Sequence, residues 1–146
     1  MRLPAILLFT AILLPAQASD EKDVVAMVQR VFDGIGAHEG EMIRSAMLPD
    51  ARIYLMRDNG TPSSTALADM AAQISGGKVA MLERFTSPPH VLIHGRIAQV
   101  WGEYEFLRDG KFSHCGVDTA TLFKTADGWK ISTLSYTVER TGCKGQ

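Results

Sequence analysis

Val100-Trp101-Gly102-Glu103-Tyr104-Glu105-Phe106-Leu107-Arg108-Asp109-Gly110-Lys111-Phe112-Ser113-His114-Cys115-Gly116-Val117-Asp118 carries two runs of alternating side chains around an Asp-Gly pair. Asp-Gly between alternating runs marks a two-residue hairpin turn, because both central residues of such a turn take positive φ. Pairing Arg108 with Lys111 and counting back puts Tyr104 opposite Cys115, Gly102 opposite Val117 and Val100 opposite Thr119. These residues then share one face with Phe106, Thr121, Phe123, Phe85 and Val91, and that face is mostly apolar. The opposite face receives Trp101, Glu103, Glu105, His114 and Asp118. A three-residue loop, Arg108-Asp109-Gly110, slips the second strand by one and carries His114 and Asp118 to the Tyr104 face instead. The first register keeps the apolar face contiguous and is preferred for that reason.

Outward from this hairpin the chain reads as further strands: Met81 to Phe85, a run resuming at His90 after Pro88-Pro89, and Trp129 to Arg140 after the turn Ala126-Asp127-Gly128. The first half has helical period instead. Val24, Val28, Val31 and Ile35 recur at helical spacing behind Ser19 or Asp20 as a cap, and Gly34 and Gly36 end that helix. A second helix spans about Glu39 to Leu48, stopped by Pro49-Asp50. Arg52 to Arg57 alternates like a short strand. Ser63 or Ser64 then caps a third helix with Leu67, Met70, Ala71 and Ile74 on one face. The class implied is α+β, with three N-terminal helices packed on a strongly curved antiparallel sheet.

Composition narrows the partners. The 146 residues are 46% hydrophobic and 21% charged, and 15 Lys+Arg against 16 Asp+Glu give a formal charge of −1. That balance offers no nucleic-acid surface. Residues 1–18 read as a secretory signal peptide: Arg2 near the start, an apolar run from Ala5 to Leu14 broken only by Thr10, and an Ala-x-Ala site ending at Ala18. The run is too short to span a bilayer, so the expected product is a secreted or periplasmic domain over residues 19–146 with no membrane attachment. Export allows Cys115 and Cys143 to bridge, provided that the tail turns back at Thr141-Gly142; the spacing leaves this open. His90 and His94 lie in an extended segment, roughly 13 Å apart, too far to share a metal ion. No cofactor motif is present. Asn59-Gly60-Thr61 reads as a turn.

The order of elements, together with Val100 to Phe106, Asp109 to Asp118 and Leu122 to Ile131, resembles the nuclear-transport-factor-2-like, cystatin-like cone fold, and within it the small exported SnoaL-like and lumazine-binding-like members. The resemblance implies a cavity inside the cone. The chemistry of its ketosteroid-isomerase-type enzymes needs a carboxylate base, a tyrosine and a protonated acid. The corresponding positions fall near Leu55, near Val31 or Phe32, and near Thr119, where those groups are missing. The leading expectation is therefore a binder of a small, largely apolar ligand in a cavity lined by Phe32, Leu55, Phe85, Val100, Tyr104, Val117 and Thr119, without catalytic carboxylates. Tyr104 and Thr119 would orient the ligand. The alternative is a cyclase, isomerase or dehydratase using His114 or Asp118 as acid or base, which requires both to face the cavity. A third reading pairs two subunits through the outer sheet face around Trp101 and Phe112.

Overall fold

The computed structural model describes residues 14–57 and 59–143; the side chains of residues 14–18 are not described. Most of the expected signal segment thus lies outside the described residues.

Helix α1 (Leu14–Ala37) buries Val24, Val28, Val31, Phe32 and Ile35, the stripe that the spacing predicts. The helix continues through Gly34 and Gly36, contrary to the sequence reading, and closes at His38, whose φ of 58° is left-handed. Gly34 is needed for packing, since a Cβ there would strike Ile43 of helix α2 (Gly40–Ala46). Asp20 does not cap the helix. Its carboxylate accepts hydrogen bonds from Lys124 Nζ at 2.5 Å and Trp129 Nε1 at 3.2 Å, tying α1 to the last hairpin.

Strand β1 (Met47–Met56) absorbs the expected end of α2. It turns back through Asn59, whose side chain accepts the Thr61 N–H, into strand β2 (Pro62–Ala66). Ser63 and Ser64 therefore pair with Leu55 and Tyr54 instead of capping a helix, and helix α3 (Leu67–Ser75) starts behind Ala66. Strands β3 (Met81–Phe85) and β4 (His90–His94) both pair with β5 (Ile97–Arg108), followed by β6 (Lys111–Thr125) and β7 (Gly128–Thr137). The sheet order is β2-β1-β7-β6-β5-β3. β1 runs parallel to β7, so the sheet is mixed where a purely antiparallel one is expected.

The β5–β6 register decides the faces. Asp109 and Gly110 have φ of 49° and 72°, the two positive values of the predicted two-residue turn, and Arg108 pairs with Lys111. Beyond the turn, Leu107 pairs with Phe112 but Phe106 pairs with His114, so Ser113 is an extra residue. A bulge of this kind exchanges the faces of everything beyond it. Tyr104 then pairs with Gly116 and Gly102 with Asp118. The turn is the preferred one, and the face assignment is the alternative one.

Candidate functional site

Between the sheet and helix α3 lies a cavity of about 240 Å³, near the small end of ligand pockets, which run from about 300 Å³ upward. Ile53 of β1, Met70, Gln73 and Ile74 of α3, Met81 and Glu83 of β3, Tyr104 and Phe106 of β5, His114 and Asp118 of β6, and Leu134 and Tyr136 of β7 line it, with Ile35 of α1. It opens past Gln73, Met81, Phe106, His114 and Tyr136 into a wider funnel.

Asp118 is almost wholly hidden from solvent, 2% exposed. Neither carboxyl oxygen receives a hydrogen bond from any N–H or hydroxyl. The group that meets it is the Glu83 carboxyl, and burial pushes both acids above the ordinary carboxylate range. For Glu83 the negative charge of Asp118 adds to the rise. Two buried carboxylates in contact repel, whereas one proton between them makes a hydrogen bond, so the contact favours a singly protonated pair. One member is then a base and the other an acid.

Tyr104 is fully buried, and its hydroxyl donates to the Thr137 carbonyl at 2.7 Å. Gly116 makes this possible, because a Cβ there would collide with that carbonyl. With its proton committed, Tyr104 forms the cavity wall and does not orient a ligand by donation. The Tyr136 hydroxyl has no partner among the described residues, and its pKa is raised by burial and then by the Glu83 and Asp118 charges. It is the available phenol donor beside the acid pair.

His114 occupies the passage from cavity to funnel. Its ring stacks on Phe106 at 4.8 Å and meets Tyr104 edge-on at 5.9 Å, with Nδ1 3.1 Å from Ser113 Oγ. Burial and then the charges of Arg140 and Arg108 lower its pKa, which favours the neutral ring. Glu105, which the regular register would set opposite His114, pairs with Cys115 and binds Arg84 at 2.5 Å on the outer side.

Of the residues expected in the cavity, Tyr104 is present, and His114 and Asp118 join it. Phe32 and Val100 are buried in the core, with Phe85 against Phe32 at 5.0 Å. Leu55 lies in the funnel. Val117 and Thr119 are on the outer sheet face, in a groove with Trp101 and Tyr54, because the bulge turns them outward. Thr119 Oγ1 reaches the Ser135 carbonyl at 3.5 Å, and no ligand inside the cone can touch it. Glu83 and Tyr136 were not singled out by the sequence reading. Glu83 had a signal: it stands two residues before Phe85, so it shares that residue's face. Cys115 and Cys143 form a disulfide with Cα atoms 6.0 Å apart, made possible by the Cys115–Glu139 bridge that extends β7.

Comparison with solved structures gives matches over nearly the whole chain. A nuclear transport factor 2-like superfamily protein from Salmonella enterica aligns with TM-score 0.69 at 12% identity, covering 89% of this chain and 98% of that one. The Kfla4162 protein from Kribbella flavida gives 0.72 at 19% identity, with coverage of 85% and 93%. This chain has the nuclear-transport-factor-2-like, cystatin-like fold. A third protein of this fold, from Streptomyces avermitilis, carries the provisional name of a dehydratase and aligns with TM-score 0.68 at 16% identity over 86% of this chain and 99% of that one. No family model and no curated protein matches the sequence. Identities this low speak for the fold and leave the chemistry to the site.

Proposed function

We propose that this domain is a proton-transfer enzyme of the isomerase or dehydratase kind, acting on a small molecule whose carbonyl end enters the cavity. The observation that carries the reading is the buried Glu83–Asp118 pair, whose only mutual accommodation is a shared proton. A buried carboxyl pair contributes nothing to stability that apolar residues would not supply better, so its presence on a cavity wall favours a chemical role. In this reading the ionised member takes a proton from a carbon beside the substrate carbonyl. The protonated member holds that base in place through their shared hydrogen bond, and the Tyr136 hydroxyl donates to the substrate oxygen as it gains negative charge. The dehydratase-like name of one protein of the same fold is compatible with this chemistry. What supports action in an exported, oxidising compartment is the apolar leader of the sequence and the Cys115–Cys143 bridge.

The test is deuterium incorporation from D2O into a panel of small ketones and β-hydroxy carbonyl compounds, followed by mass spectrometry. Wild-type protein should exchange or dehydrate at least one member well above the buffer rate. Asp118→Asn and Glu83→Gln should each lower that rate by about 10²–10⁴-fold while remaining folded. Equal rates in wild type and both variants would remove the reading.

A further inference from the structure

Three strands end their cavity-facing stripes on arginine. On β1 the inward positions run Ile53, Leu55 and then Arg57; on β5, Tyr104, Phe106 and then Arg108; beyond β7, Tyr136, Val138 and then Arg140. Period-two alternation explains why all three point the same way, and the curvature of the sheet gathers them around one funnel. β1 and β7 are parallel neighbours, so Arg57 and Arg140 leave the sheet at the same end.

The funnel lining that contains the three guanidinium groups contains no carboxylate among the described residues. Two acids beside Arg108 and Arg140 in the chain are engaged elsewhere. Glu139 faces the outer side with Cys115, and Asp109 accepts a hydrogen bond from the Ala80 N–H at 3.2 Å. None of the three arginines forms a salt bridge among the described residues. The disulfide and the Cys115–Glu139 backbone bonds hold the segment carrying Arg140 against β6, so its backbone is kept at the rim.

We infer that the rim binds an anionic head group, and that the ligand is therefore an organic acid: a carboxylate or phosphate held by Arg57, Arg108 and Arg140, with an apolar body extending past His114 towards Asp118. Guanidinium groups suit such oxyanions through paired N–H donors. The polarity gradient fits as well, because an anionic head is repelled from the acid pair at the bottom and attracted at the rim, which sets the orientation of the body. The inference takes from the proposed function only that the cavity is the ligand site, and not that the ligand is chemically changed there.

Calorimetric titration of the full chain tests this, with straight-chain carboxylates of graded length, the matched alkyl phosphates, and the matched primary amides as neutral controls. Acids should bind about tenfold more tightly than their amides, and the preference should shrink as salt is raised. The preference should vanish in the triple variant Arg57→Gln/Arg108→Gln/Arg140→Gln and persist in Lys22→Gln, which removes a charge from α1. All three rim side chains are exposed, and an unchanged melting temperature verifies the fold of the variant. Carboxylate against phosphate affinity identifies the head group. Amides that bind as well as the acids, or a preference that survives the triple variant, would overturn the inference while leaving the cavity and its proton chemistry standing. Absence of binding by acids and amides alike would overturn it together with the choice of cavity. Loss of deuterium exchange activity alone would leave it untouched.

Discussion

Ala120 and Leu122 on the inner face of β6 sit in a sealed apolar cluster with Val24, Val28 and Ile131. Asp118, the next inward position towards the rim, is equally hidden from solvent but meets another acid and a hollow. One strand thus supplies both halves of the molecule. At one end α1 fills the concave sheet, and burial there is stabilising throughout. At the other the short α3 covers the sheet with Met70, Gln73 and Ile74 without filling it, and that is where the polar inward residues gather. The sealed core and the hollow that carries the proposed chemistry are divided along the length of the strands, with the boundary between Asp118 and Ala120.

The largest effect should come from breaking the sealed end. Leu122→Ala removes a fully buried side chain and should cost about 2–5 kcal/mol, read from the midpoint of urea unfolding. Next, replacing Cys115 and Cys143 by serine removes the closure of the chain across a 28-residue separation and should cost about 2–4 kcal/mol in the same assay. It should also weaken organic-acid binding by loosening Arg140. The hollow end should respond in the opposite sense. The acid pair has folded pKa values above those of the unfolded chain, with Asp118 raised to about 7. Its contribution is fully present at low pH, below the unfolded values of about 4, and declines as pH rises through about 7. Asp118→Asn should flatten that decline and gain on the order of 1 kcal/mol above neutrality, while lowering the proposed exchange rate by about 10²–10⁴-fold. A stability–pH curve unchanged by the substitution would mean that the pair holds no shared proton. Smallest of all, Arg84→Ala on the exposed outer side should cost about 0.2–1 kcal/mol, with the hollow unaffected.

The sequence made the architecture readable wherever one face was consistently apolar. The stripe of α1, the Asp109-Gly110 turn and the long strands after it all follow from spacing. β2 was hidden because Pro62-Ser63-Ser64-Thr65-Ala66 is polar and small, and its serines fit a helix cap as well as an edge strand. The parallel pairing of β1 with β7 joins residues some 80 positions apart, which no local pattern encodes. The candidate site was lost to one residue. Nothing in Phe112-Ser113-His114 announces a bulge, and the apolar contiguity that favoured the regular register was true of the outer groove, where Val117 and Thr119 in fact lie. Glu83 was the recoverable miss. Its relation to Phe85 depends on strand period alone and not on the hairpin register, so it belonged inside under either alternative. The arginines of the rim were overlooked because each appears singly, at the end of a different strand, and only curvature assembles them.

Ser113 also bears on how such a site can be gained or lost. As the extra residue it lets the tight Asp109-Gly110 turn coexist with an inward His114 and Asp118; the same length of strand paired without the bulge would send both outward. A single-codon deletion between His114 and Asp118 would force a choice instead: keep the bulge and send Asp118 to the outer groove, or give up the bulge and send His114 there. In this fold, which side chains line the hollow can turn on an indel near the lip.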